Sequence, residues 1–207
     1  MSLLSGQRLM VLDLETTGFS PSVGDSVLEV ARVTIEDGAI TEGWASLVGP
    51  PRPIAPDAAR VHGITEATLA NAPEPAWVAK VLRESCGQAM LVFHNAAFDL
   101  PFLGALMRKA GQPPLFNPVI DTLGLARGLF GAGSNSLPAL AERFGFPPET
   151  AHRALGDART TARLLLALAP RWETERGIGS IDELAAVSQD QIRLTARRSG
   201  DGGPGGI

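Results

Sequence analysis

The sequence predicts an α/β protein whose mixed sheet is covered by helices. Three strand-like segments follow one another within the first 48 residues, and every later strand-like segment runs into a helical one. A plain doubly wound protein would alternate strand and helix from the start. With 207 residues, 44% of them hydrophobic and 19% charged, one domain can bury roughly 70% of its surface without a disulfide or metal staple.

Taken in order, "RLMVLDLE" (8–15) is the first strand, apolar except for its arginine and two acids. "SVLEVARVTIEDGAITEGWASLV" (26–48) gives two strands about the turn signal Glu36-Asp37-Gly38-Ala39, a hairpin. The proline-rich "GPPRPIAPDAARVHGIT" (49–65) is expected to be a loop, with the first helix starting near Thr65 and running to Ala70. Residues 75–86 place Trp77, Val78, Val81 and Leu82 at helical spacing; 89–94 form a short strand and 97–111 a helix ending at Gly111. "NPVIDTLGLARGLF" (117–130) passes from strand to helix with Asp121 as N-cap. Helices are expected over 136–145 and 153–170, the second stopped by Pro170, and one short helix around Asp182–Val187 within 171–199. The glycine-rich end, 200–207, cannot form a core and is expected to be disordered.

Composition narrows the function. Cys86, the single cysteine, excludes an internal disulfide framework. With no signal-peptide pattern and no apolar run near the ~20 residues of a membrane span, the chain is expected in the cytoplasm. A net charge of −4 argues against a large duplex-binding surface, which carries a basic face, but permits a site that grips a few nucleotides.

The two acids of the first strand pose the chemical question. Side chains alternate, so Asp13 and Glu15 project the same way, their Cα atoms roughly 6.5 Å apart, while Leu14 points to the other face. Buried and unpaired, two adjacent carboxylates are costly, so a cation between them is required; the alternative is a strand end facing solvent. Asp99, near the start of a helix, is by itself ordinary macrodipole chemistry. Were His152 to Asp157 all helical, they would point about 140° apart, so a shared site needs His152 in the preceding loop, as the prolines of "FPPET" suggest. Four carboxylates would be neutralised by two divalent cations, and an all-oxygen set selects Mg²⁺ or Mn²⁺ over zinc. Such a pair suits in-line phosphoryl displacement. The His152 imidazole, ordinarily near pKa ~6.5, can take a proton from an attacking water at neutral pH.

"DLETTG" (13–18), "HNAAFD" (94–99) and "HRALGDA" (152–158), in this order and spacing, resemble the three motifs of the DEDDh (DnaQ-like) 3′–5′ exonucleases. That family includes the proofreading epsilon subunit of bacterial DNA polymerase III. The resemblance runs from about Gln7 to Ala169 and takes in "HGIT" (62–65). It implies a ribonuclease H-like fold: a five-stranded mixed sheet with strand 2 antiparallel, flanked by helices, within residues 1–170. A short helical segment, 171–199, would follow. By motif position, Asp13, Glu15 and Asp157 are implied to ligate one ion, Asp13 to bridge to a second that Asp99 reaches, and His152 to be the general base. Thr16, Thr17 and His62 are implied to hold the terminal nucleotide, Asn95 and Phe98 to contact the last sugar and bases, and Leu14 to wedge beside them. The implied substrate is a single-stranded or frayed DNA 3′ end, cut to nucleoside monophosphates with two Mg²⁺ or Mn²⁺; an exoribonuclease is the alternative. Only about 37 residues follow Pro170, short of the epsilon subunit's polymerase-binding extension, which puts a polymerase partner in doubt.

Two rivals lie outside the family: a glycosidase using Asp13 and Glu15 without metal, and a non-catalytic binding module on the same fold. Glu29 is expected to pair with a neighbouring arginine rather than to be catalytic, and His94, at the end of a core strand, to be structural or to support a site residue rather than to be catalytic. "GAGSNS" (131–136) lacks the Gly-Lys-Ser/Thr of a phosphate loop and reads as a helix linker.

Overall fold

Alternation along the first strand sets the architecture. In β1 (Arg8–Thr16), Leu9 and Val11 are buried on one face, and Met10, Leu12 and Leu14 on the other. A strand apolar on both faces belongs in the middle of a covered sheet. The computed structural model, which describes residues 2–49, 54, 56–131, 133–150 and 153–200, with side chains as far as 190, puts it there. The sheet order is β3-β2-β1-β4-β5. β2 (Val27–Glu36) is antiparallel to β1 and to β3 (Ala39–Leu47), whereas β4 (Met90–Phe93) and β5 (Val119–Asp121) continue parallel to β1. This is the mixed sheet with strand 2 antiparallel that the sequence implied. The β2–β3 hairpin turns through Asp37 (φ 51°) and Gly38 (φ 76°), two left-handed residues as a type I′ turn requires.

Helices cover both faces. α3 (Pro75–Cys86) and α4 (Ala96–Lys109) pack on the Met10 face. α5 (Thr122–Phe130), α6 (Leu137–Phe144) and α7 (Ala154–Arg176) pack on the Leu9 face, joined by α8 (Ile181–Gly200). The short α1 (Pro56–His62) and α2 (Glu66–Leu69) lie between β3 and α3, with Thr65 capping α2 as expected.

Three expectations are corrected. Residues 49–65 are not all loop, because α1 starts at Pro56, and proline at a first helical position sacrifices only an amide that would be unpaired anyway. Pro170 does not stop α7, which continues to Arg176. Trp172 anchors the extra turn, being buried with its Nε1 donating to the Leu125 carbonyl at 3.2 Å, and this tertiary packing outweighs the proline's cost. The boundary drawn at 170 therefore falls inside a helix. The third correction is length: α8 runs to Gly200 and buries Ile181, Leu184, Ala185 and Ser188 against the body of the protein. The tail from 201 lies outside the described residues.

Candidate active site

Beyond Val11 the alternation of β1 continues with acids. Asp13 and Glu15 therefore emerge at the end of the strand on the face that α7 covers, and Asp157 sits in the first turn of α7. Carboxylate oxygens of Asp13, Glu15 and Asp157 lie within 4.8 Å of one another. Asp99, in the first turn of α4, stands outside that trio but accepts a hydrogen bond from the Leu14 amide. Its charge is the strongest of those acting on Asp13.

The electrostatics is that of an incomplete site. Burial, then the charges of Asp99, Asp157, Glu15 and Glu29, hold the Asp13 carboxyl well above its ordinary range. Glu15 is pushed up to about 7, by burial first and then by Asp157 and Glu29, with Arg153 pulling the other way. Asp99 is raised by burial and by Asp121. A cluster of buried oxygen donors whose burial and mutual repulsion both favour the protonated form fits a hard divalent cation.

A second acid shows how the site is held. Glu29, in register opposite Glu15, is buried and takes a two-pronged contact from Arg153: Nη2 donates to Oε1 at 2.7 Å and Nε to Oε2 at 3.1 Å. Its Oε2 also accepts from the Ala154 amide at 3.1 Å, so Glu29 pins the start of α7 to β2. The expected arginine partner is thus the residue next to His152. Glu149 binds Arg163 at 2.7 Å, and a Cβ on Gly156 would collide with the Thr150 carbonyl, so the chain before α7 is fixed from two more sides. His152 itself lies outside the described residues.

Beside Glu15 opens a cavity of about 560 Å³. Leu14, Thr16, Thr17, His62 and Phe98 line it; Asn95 caps α4 and is not among the lining residues. Leu14 is buried in the core and reaches the cavity by its edge. The threonine hydroxyls serve the loop: Thr16 donates to the Gly18 carbonyl at 2.6 Å and Thr17 to Asp25 at 3.2 Å. A Cβ on Gly18 would meet the Asp25 carboxylate at 2.5 Å, which accounts for the glycine. His62 accepts the Ile64 amide on Nδ1 at 3.0 Å, which leaves its ring proton on Nε2. Phe98 packs on Phe102, ring centroids 5.3 Å apart. The sequence reading missed the rim, where Phe19, Val23 and Val61 stand out at 89%, 71% and 54% exposure. Three apolar side chains divided between the segment after β1 and helix α1 carry no common periodicity by which to find them. His94 is structural, bonded to Thr122 and lowered to about 4 chiefly by burial.

Known proteins are similar to this chain in sequence and in fold. The family model for the RNase_T exonuclease domain matches residues 10–165. A DNA polymerase III subunit epsilon-like protein of Rhodobacter capsulatus is 43% identical over 166 residues, covering 78% of this chain and 23% of that protein. A PolC-type DNA polymerase III of Thermotoga petrophila is 36% identical over 190 residues, 90% of this chain and 14% of the polymerase. The chain thus spans less than a quarter of either relative's length. Exonuclease X, solved with 5′-overhanging duplex DNA, superposes with a TM-score of 0.69 at 31% identity over 87% of this chain and 99% of its own. The nuclease domain of 3′hExo, a DEDDh member solved with rAMP, shares the fold at 17% identity and TM-score 0.68 over 78% of this chain and 90% of its own. The chain belongs to the RNase_T exonuclease family.

Proposed function

We propose that this chain is a divalent-metal-dependent 3′–5′ exonuclease that releases nucleoside monophosphates from single-stranded or frayed DNA ends. The observation that carries the reading is the carboxylate trio Asp13, Glu15 and Asp157, gathered within 4.8 Å beside a one-nucleotide cavity. Asp13, Glu15 and Asp157, with Asp99 beside them, would supply the oxygens that hold two divalent cations, which would offer charge neutralisation and Lewis-acid polarisation of the phosphodiester and the water. His152 takes the proton of the water as the new P–O bond forms; the leaving 3′ oxygen takes one from solvent. His62, Phe98 and the edge of Leu14 wall the cavity for the terminal nucleotide, Thr16 and Thr17 shape its loop, and Asn95 sets the turn before Phe98. At about 560 Å³ the cavity suits a ligand of that size and explains end preference without a basic groove. The DNA polymerase names of the relatives favour DNA over RNA. A free, buried Cys86 accords with work in the reducing cytoplasm, and no helix among the described residues is long and apolar enough to cross a membrane.

The test is digestion of matched end-labelled DNA and RNA oligomers with Mg²⁺ or Mn²⁺ and with EDTA. Shortening of the DNA from its 3′ end, dependent on metal, is expected; full activity in chelator overturns the reading, and faster loss of RNA transfers it to an exoribonuclease. His152→Ala is expected to slow hydrolysis by roughly 10²–10⁴ while Mn²⁺ binding is unchanged. Normal turnover by that variant would remove His152 from the chemistry.

A further inference from the structure

Asp121 lies at the end of β5, fully buried, outside the four-acid constellation. Helix capping explains one of its bonds, the Leu123 amide on Oδ1 at 2.9 Å. It does not explain the other two. The Asn95 amide donates to Oδ1 at 3.0 Å and the Ala96 amide to Oδ2 at 2.7 Å, so a carboxylate on β5 also caps α4. Asn95 needs such a cap: it holds a left-handed backbone (φ 74°, ψ 55°) and makes no side-chain bond to its own helix. Four residues on is Asp99. The Asp121 amide in turn donates to Ser188 Oγ of α8 at 3.0 Å, and Ser188 is seated by its bond to the Ala185 carbonyl at 2.7 Å. The Ser188 backbone lies directly against Gly124, where any Cβ would collide, so α8 packs closely on α5 there.

We infer that Asp121 is a positioning residue for the metal ligand Asp99, and that α8, through Ser188, is a working part of the site. The inference rests on Asp99 serving as a ligand, as proposed above. Its route is mechanical: Ser188 fixes the β5 end, Asp121 fixes the turn at Asn95, and that turn aims the first turn of α4.

The test is Mn²⁺ binding to the full chain, read from the free-ion electron paramagnetic resonance signal, together with thermal unfolding. Asp121→Asn is expected to weaken one class of Mn²⁺ site by roughly 10–100-fold, the range for losing a residue that orients a ligand. Combined with Asp99→Asn, it should add little further loss, since both act on one ligand. Ser188→Ala changes no charge and should shift the same site less, in the same direction. A merely structural role would lower the unfolding temperature of these variants and leave Mn²⁺ affinity intact below it, which would overturn the inference. If Asp121→Asn does not fold, Ser188→Ala decides alone, and unchanged Mn²⁺ affinity there overturns it equally. Failure of the wild type to digest DNA while binding Mn²⁺ would count against the proposed function instead.

Discussion

Glu15 and Glu29 face each other across β1 and β2, yet the fold treats them in opposite ways. Glu29 is given everything a buried carboxylate needs, a bidentate arginine and a backbone amide. Asp121, on the far side of the sheet, receives three amides. Glu15 and Asp13 are buried with other acids as neighbours, and burial first, then those charges, raises their affinity for protons. Like charges opposed across a sheet destabilise it. The protein meets that cost at Glu29 with its own cation, whereas Asp13 and Glu15 join Asp157 in a trio whose oxygens are close enough to hold one in common. The difference separates acids that build the fold from the acids to which we assign the chemistry.

The largest effect should come from exchanging one acid of the second kind. Asp13→Asn is expected to abolish turnover, because it takes the charge from one of the three carboxylates that would hold the metal. In EDTA the same variant should be more stable than wild type, by about 0.5–2 kcal/mol, the gain usual when strain at a functional site is relieved. Chemical denaturation with and without Mn²⁺ measures both signs. A variant less stable in chelator would mean that Asp13 is satisfied after all, and the contrast with Glu29 would fail.

Glu29→Gln should do the reverse. It strands Arg153 and weakens the bond to the Ala154 amide, a loss of about 3 kcal/mol, at the low end for breaking a buried pair since the Arg153 side chain is 46% exposed. The loss should be the same with or without metal. A denaturation midpoint that moves only when Mn²⁺ is present would place Glu29 among the metal ligands instead.

Much of this division was legible beforehand. The period-2 pattern of β1, broken by Asp13 and Glu15, located the site, and the Asp-Gly turn located the hairpin that makes strand 2 antiparallel. What escaped was long-range. Arg153 lies 124 residues from Glu29, and nothing local marks it as the partner. Asp121 looked like the cap of one helix, because the second helix it caps arrives only through the β4–β5 pairing. Pro170 misled for the same reason: Trp172 finds its partner on α5, and a local rule cannot see that contact. The pattern Ile181, Leu184, Ala185, Ser188, by contrast, is an ordinary helical stripe and was open to reading.

The smallest effect is also the most direct measure of the contrast. Glu15, held at about 7 against an ordinary 4.5, keeps a proton in the metal-free fold that the unfolded chain has released. Its contribution to stability is therefore full below about 4.5 and is lost as pH rises through about 7. His94 runs the other way: lowered to about 4, it stabilises above its ordinary 6.5 and loses that contribution as pH falls toward 4. A simple stability scan mixes the two, but metal binding does not, because only the acids must ionise to bind. Calorimetric titration with Mn²⁺ in two buffers of different ionisation enthalpy should show protons released near pH ~6 and markedly fewer near pH ~8. Glu15→Gln should remove about one of the protons released at the lower pH. Release of none there would mean that the acids are already ionised before metal arrives, and Glu15 would then differ from Glu29 in position only.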